Sequence, residues 1–274
     1  MNPIVPLSAT QEIHGILLVD KPSGWTSHDV CAFVRGRFRI PKVGHAGTLD
    51  PNATGLLVLL LGRFTRQSAD WSSCDKDYEG VMELGVETDS HDRQGKVLKE
   101  SPAEHITEDQ VRQGMSRFVG EIMQIPPMVS AVKHHGKRLY ELARKGQVVE
   151  RESRPAIVFN WDFIEKKGNF IRFKCSVSKG TYVRTLADDL GHQLGCGAVL
   201  AELRRTRCGP FKIEKSVLVE QLKQMSAEDF SQHVILPGTE NASRSASNVS
   251  NSAPAVNRIE GSVPPAQPQG HART

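Results

Sequence analysis

From residue 15 onward, the chain alternates short strand-like runs with amphipathic helical ones, each closed by glycine, proline or a polar cluster. Residues 15–20 are apolar enough for a strand and end at the Lys21-Pro22-Ser23-Gly24 turn. Val30, Phe33, Val34 and Phe38 then recur at helical spacing, with Thr26 or Ser27 as the cap. Residues 56–61 predict a buried strand, and residues 78–87 predict a second one that alternates Tyr, Val, Leu and Val with polar or small partners. Residues 107–119 read as a helix opened by Thr107 and ended by Gly120, with Val111, Met115, Phe118 and Val119 on one face. Pro126-Pro127 confines residues 121–132 to an edge segment that leads into a long basic excursion. A short helix is expected over residues 140–145. Residues 156–165 and 170–177 make a hairpin around Lys166-Lys167-Gly168-Asn169, and residues 181–194 are amphipathic through Val183, Leu186, Ala187, Leu190 and Leu194.

Beyond about residue 238 the pattern stops. Ser, Asn, Pro, Ala and Gln replace the large apolar residues, and such a segment cannot bury a core. The expected organisation is an N-terminal extension over 1–14, a folded domain over 15–236 with an insertion at about 124–155, and a disordered tail over 237–274. Alternating strands and helices fit a mixed α/β or an α+β domain, and periodicity does not choose between them.

No apolar stretch is long enough to span a bilayer, and the first 13 residues lack a secretory pattern. The five cysteines form no Cys-x-x-Cys pair and no zinc-like spacing with histidine, which fits reduced thiols in a cytoplasmic protein. The net charge of +4 conceals a division along the chain. Residues 75–109 carry eleven acids against four bases, whereas 133–155 carry seven bases against three acids. Residues 35–42 and 204–215 are basic as well. Solvated loops would look the same, yet three basic segments on a nearly neutral chain suit a polyanion-binding face.

The candidate chemistry centres on Asp50. It stands in a glycine-punctuated loop directly before the apolar run at 56–61, and Pro51 pushes it towards an extended conformation. A carboxylate held stiffly beside a buried strand, with a cation to keep it ionised, can act as nucleophile or general base. A bare Leu-Asp-Pro would more often be a turn before a core strand.

The flanking residues change that reading. Gly44-His45-Ala46-Gly47-Thr48-Leu49-Asp50-Pro51-Asn52-Ala53-Thr54-Gly55-Leu56-Leu57 resembles the signature loop of the TruB family of tRNA pseudouridine synthases at every specified position. Asp20-Lys21-Pro22-Ser23-Gly24-Trp25-Thr26-Ser27 is similar to the family's first motif, Asp77-Tyr78-Glu79-Gly80 to its second, and residues 178–186 (SKGTYVRTL) to its third. The resemblance covers residues 15 to about 215. It implies an α+β pseudouridine synthase fold: a mixed, mostly antiparallel central sheet with surrounding helices and an RNA-gripping insertion.

The resemblance also implies roles. Asp50 would act at the ribose of a flipped uridine, by attack on C1′ or by removal of the 2′ proton. Arg184 would be its counter-ion, lowering the carboxyl pKa and fixing its orientation, although on a helix Arg184 could instead pair with Asp188 four residues on. Tyr78, one of three tyrosines, would stack on the base, with Tyr182 as a second wall and Leu203 packing against the nucleotide. His45 would contact the RNA, and Lys21 would contact RNA or support the loop from beneath. The isomerisation breaks one bond to C1′ and makes another, so neither a cofactor nor a metal is expected.

Many members carry an aromatic where this chain has Val129, and longer relatives continue into a small RNA-binding domain of the PUA type, where disorder is expected here. The resulting expectation is a stand-alone, monomeric, cytoplasmic enzyme that modifies position 55 in the T loop, reads the tRNA T arm without a guide RNA, and makes no membrane contact. Two other readings are a tRNA-folding chaperone with dispensable catalysis and a carboxylate-dependent RNA N-glycosidase.

Overall fold

A computed structural model describes residues 13–130, 132–134, 136–143 and 145–236, all within the compact unit Met1–Pro237. Most of the N-terminal extension and the whole expected tail over 237–274 lie outside the described residues. Among the described residues, no helix is long and apolar enough to cross a membrane.

The fold is built on a ten-stranded sheet. Eight strands form its path: β1 Gly15–Lys21, β2 Thr54–Leu61, β3 Lys76–Leu84, β4 Gly120–Gln124, β5 Arg154–Lys167, β6 Phe170–Val177, β7 Ala198–Cys208 and β8 Val217–Leu218. Their order is β8-β1-β2-β7-β3-β6-β5-β4, with Val43–His45 added to β2 and Phe211–Lys212 to β7. Only β1/β8 and β2/β7 run parallel, so the sheet is mixed and mostly antiparallel, as the family resemblance implied.

The two halves of the sheet are covered differently. β2 is buried on both faces, which its unbroken Leu-Leu-Val-Leu-Leu-Leu run requires. On one side, Leu57, Leu59 and Leu61 join Val30 and Val34 of α1 (Ser27–Arg37). On the other, Leu56, Val58 and Leu60 join Ile16, Phe64 and Phe211. β3 and β6 instead alternate, burying Tyr78, Met82, Ile171 and Phe173 while Glu79, Arg172 and Lys174 face solvent. The buried face of this half is roofed by α2 (Glu108–Ser116) and α3 (Val183–Leu194) through Val111, Met115, Leu186, Ala187 and Leu190.

The halves join where β2 and β7 pair over two positions, Arg204 with Thr54 and Arg205 with Gly55. Gly55 lies at φ +99°, and a Cβ there would come within 2.3 Å of the Arg205 carbonyl oxygen. Glycine is therefore required at the seam, five residues after Asp50.

Helix starts were readable: Thr26 and Thr107 both form capping boxes, with Asp29 and Gln110. Gly85, at φ +90°, divides the expected 78–87 strand into β3 and Val86–Thr88. The edge position expected after residue 120 is occupied by β4. The strand β7 has no counterpart in the sequence reading. Ala, Leu, Glu and Arg in its sequence favour helix, and packing between β2 and β3 overrides that preference.

Candidate active site

The loop carrying Asp50 is fixed to its surroundings at almost every residue. The Ala46 N–H donates to the Val58 carbonyl at 2.9 Å, and Arg205 Nη2 donates to the Gly47 carbonyl at 3.3 Å. The Leu49 N–H donates to Ser27 Oγ at 2.9 Å, while the Gly24 N–H and Lys21 Nζ both donate to the Pro51 carbonyl, at 2.9 and 3.0 Å. Ala46, Leu49 and Ala53 are buried, so their apolar side chains hold the loop against the core while the Asp50 carboxylate points into a cleft. Its side chain remains 41% exposed.

Lys21 corrects one expectation. It is fully buried, and its ammonium donates to the carbonyls of Pro22 (2.9 Å), Trp25 (2.7 Å) and Pro51 (3.0 Å), which leaves no proton for an RNA phosphate. Burial pulls its pKa down to about 8, against the attraction of Asp50. Lys21 is a strut beneath the loop.

Arg184 reaches Asp50 from the second position of α3. Its Nε lies 3.0 Å from Asp50 Oδ2, and its Nη2 lies 3.4 Å from Oδ1. The guanidinium is buried and is oriented independently by the carbonyls of Ser90 (Nη1, 3.1 Å) and Val129 (Nη2, 2.9 Å). Asp92 Oδ2 lies 3.8 Å from Nη1. Pairing between Arg184 and Asp188 does not occur; Asp188 approaches His91 and His192 instead.

Asp50 and Arg184 border a hollow of about 260 Å³ whose walls include Tyr78, Tyr182 and Leu203. A second hollow, of about 500 Å³, meets Asp50 from the side of the acidic turn at 89–96. Tyr78 is buried, and Arg205 beside it draws the phenol pKa down against the stronger upward push of burial. Tyr182 precedes α3 in extended conformation, and Gln124 clamps its backbone: the Tyr182 N–H donates to Oε1 at 2.8 Å, and Nε2 donates to the Tyr182 carbonyl at 3.1 Å. The structure thus gathers Asp50, Arg184, Tyr78, Tyr182 and Leu203 around one space. His45 does not line either hollow. It is half-buried on Val43–His45, its Nδ1 has no hydrogen-bond partner among the described residues, and burial, Arg205 and His28 lower its pKa.

The electrostatics of Asp50 are a contest. Enclosure by the loop and cleft walls raises its carboxyl above the usual range, Arg184 opposes this most strongly, Asp92 adds to the rise, and Lys21 opposes it. Arg184 lowers the carboxyl pKa as expected, and desolvation outweighs it, so the net shift is upward. A partly enclosed carboxylate with one guanidinium fixed along its edge is a suitable nucleophile or base at an electron-poor carbon.

Residues 35–183 match the TruB family pseudouridylate synthase N-terminal domain, and residues 184–241 match the tRNA pseudouridylate synthase B C-terminal domain. The chain belongs to the TruB family. The tRNA pseudouridine synthase B of Aromatoleum aromaticum is 47% identical over 216 residues, which are 79% of this chain and 70% of that protein. The tRNA pseudouridine synthase B of Opitutus terrae is 45% identical over 225 residues, 82% of this chain and 93% of that protein. Among solved structures, a Cbf5-Nop10-Gar1 complex contains a chain similar at a TM-score of 0.63 and 31% identity, covering 81% of this chain and 60% of that one. This TruB-family chain is a tRNA pseudouridine synthase, an enzyme that isomerises uridine to pseudouridine in tRNA.

Within the TruB-family site, several residues escaped the sequence reading. Ser90 and Asp92 lie in the acidic stretch over 75–109, to which the sequence reading assigned no site residue. Arg205, read only as part of the basic 204–215 segment, is fully buried with its Nε donating to the Leu56 carbonyl at 2.7 Å. Gln124 sits inside the run over 121–132 that reads as an edge segment, and ends the edge strand β4. The Val129 side chain is 42% exposed, but its carbonyl holds Arg184, a contact that any side chain at this position permits.

Proposed function

We propose that the enzyme acts on the uridine at position 55 in the T loop of tRNA, with Asp50 attacking C1′ or removing the 2′ proton of the flipped nucleotide. Arg184 keeps Asp50 ionised and oriented, Tyr78 and Tyr182 hold the base as it turns over, and Leu203 packs against it. Lys21 acts from beneath the loop as a positioning residue, and His45 contacts RNA outside the hollow. Residues 15–236 serve as the catalytic domain, with 124–155 as the RNA-gripping insertion. We further propose a cytoplasmic monomer that reads the T arm without a guide RNA.

The observation that carries this reading is the ion pair of Asp50 with a guanidinium already fixed by two carbonyls, at the edge of a hollow walled by two tyrosines. An unmodified tRNA transcript, treated with the enzyme and then with carbodiimide, reports pseudouridine as reverse-transcription stops. A stop at the T-loop uridine is expected with wild type and none with Asp50→Asn. Stops elsewhere would move the target, and abasic product would favour the glycosidase reading.

A further inference from the structure

His91 occupies the tip of the 90–92 turn with φ +62°, a left-handed conformation that a side chain adopts where its surroundings impose it. Both of its chain neighbours serve Arg184: the Ser90 carbonyl accepts from Nη1 at 3.1 Å, and the Asp92 carboxylate lies 3.8 Å from the same nitrogen. The His91 carbonyl accepts from the Leu200 N–H at 3.0 Å, which ties the turn to β7. Its Nδ1 lies 3.4 Å from Asp188 Oδ2, with the two side chains 22% and 12% exposed; this is a close polar approach without hydrogen-bond alignment, and the enclosed nitrogen has no hydrogen-bond partner among the described residues.

Asp188 follows Arg184 by one helical turn on α3, so both present the same face. The turn therefore meets the helix twice, through Ser90 and Asp92 at Arg184 and through His91 at Asp188. His192, one turn further on, lies 3.6 Å from Asp188 and 3.6 Å from Glu87. We propose that the His91–Asp188 contact is a positioning clamp, which fixes the 90–92 turn on α3 and so keeps the Arg184 guanidinium in register with Asp50.

The clamp rests on the reading of Asp50 and Arg184 given above. Burial, then Arg184, Arg151 and His192, lower the His91 pKa to about 4 against the pull of Asp92. Burial raises Asp188 to about 6, opposed by His192 and assisted by Asp189 and Glu87. At neutral pH a neutral imidazole thus faces a carboxylate across this contact.

His91→Gly tests the clamp, because glycine keeps the left-handed backbone and removes only the imidazole. Asp188→Asn removes the charge from the other side. Each variant is expected to slow single-turnover conversion of tRNA about tenfold, with the Kd for tRNA changed less than about twofold. The double variant should be no slower than the slower single one, since both remove the same contact. His91→Asn, which tolerates the same backbone and carries an N–H donor, should recover part of the rate. Full rate in His91→Gly, a loss confined to tRNA affinity, or multiplicative losses in the double variant would each overturn the clamp. Asp50→Asn, assayed alongside, separates the two ideas: if it stays active, the reading of the catalytic pair falls and the clamp with it. If it is inactive while His91→Gly runs at full rate, only the clamp falls.

Discussion

The Asp50 loop and the insertion after residue 124 both touch Arg184, yet they are built by opposite means. The loop is short, its apolar residues are buried in the core, and its backbone is bonded to α1, β2, β7 and the Lys21 strut. The insertion has its own small cluster of Met128, Leu139 and Leu142, a two-residue ladder of Lys133–His134 with Lys137–Arg138, and one carbonyl directed at Arg184. Chemistry at a single ribose carbon rewards a carboxylate that does not move, because its reach is fixed to a fraction of an ångström. Holding an RNA rewards a cationic surface that is lightly tied to the rest of the molecule. The two regions should therefore fail differently when altered.

The largest effect expected short of removing Asp50 is at Arg184. Arg184→Lys replaces a planar fork by a point charge and should slow single-turnover conversion about 100-fold while tRNA binding holds. Equal loss in binding would place Arg184 in the grip. Next comes the strut: Lys21→Met leaves three carbonyls without their donor and should cost about 2–3 kcal/mol of stability, read by urea unfolding, together with a slower rate. Unchanged stability would mean that the loop is held without it.

The pH dependence follows from the raised Asp50 pKa. In the proposed mechanism Asp50 reacts in its ionised form, so the rate should fall on acidification at a pH above the usual carboxylate range. The sign for stability is the reverse. A folded-state pKa above the unfolded value means that ionised Asp50 costs stability above that pKa, so Asp50→Asn should melt no lower than wild type at neutral pH. The smallest effects belong to the insertion. Lys137→Ala or Lys145→Ala should raise the Kd for tRNA a few-fold and flatten its salt dependence by about one unit per lost phosphate contact, with the chemical step unchanged.

The same contrast explains what could be read from sequence. The Asp50 loop was legible because local rules made it: glycines where the backbone is strained, a proline after the acid, and a buried strand behind. Arg184 came from motif resemblance, since helical spacing by itself offered Asp188 as an equally ordinary partner. Ser90, Asp92 and Gln124 were not legible, because each acts through a backbone or a contact set by distant packing. The buried Arg205 and the strand that carries it were missed for the same reason: the sequence of β7 favours a helix, and its place between β2 and β3 is decided by tertiary structure.

In the proposed mechanism Asp50, held by its loop and paired with Arg184, performs the isomerisation. Forming the bond from C5 to C1′ expels the hydrogen at C5, so tRNA carrying 5-tritiated uridine releases tritium to water as pseudouridine forms. Wild-type enzyme is expected to release one tritium per modified uridine, and Asp50→Asn, folded and still binding tRNA, is expected to release none above background. Release by Asp50→Asn at the wild-type rate would contradict the account.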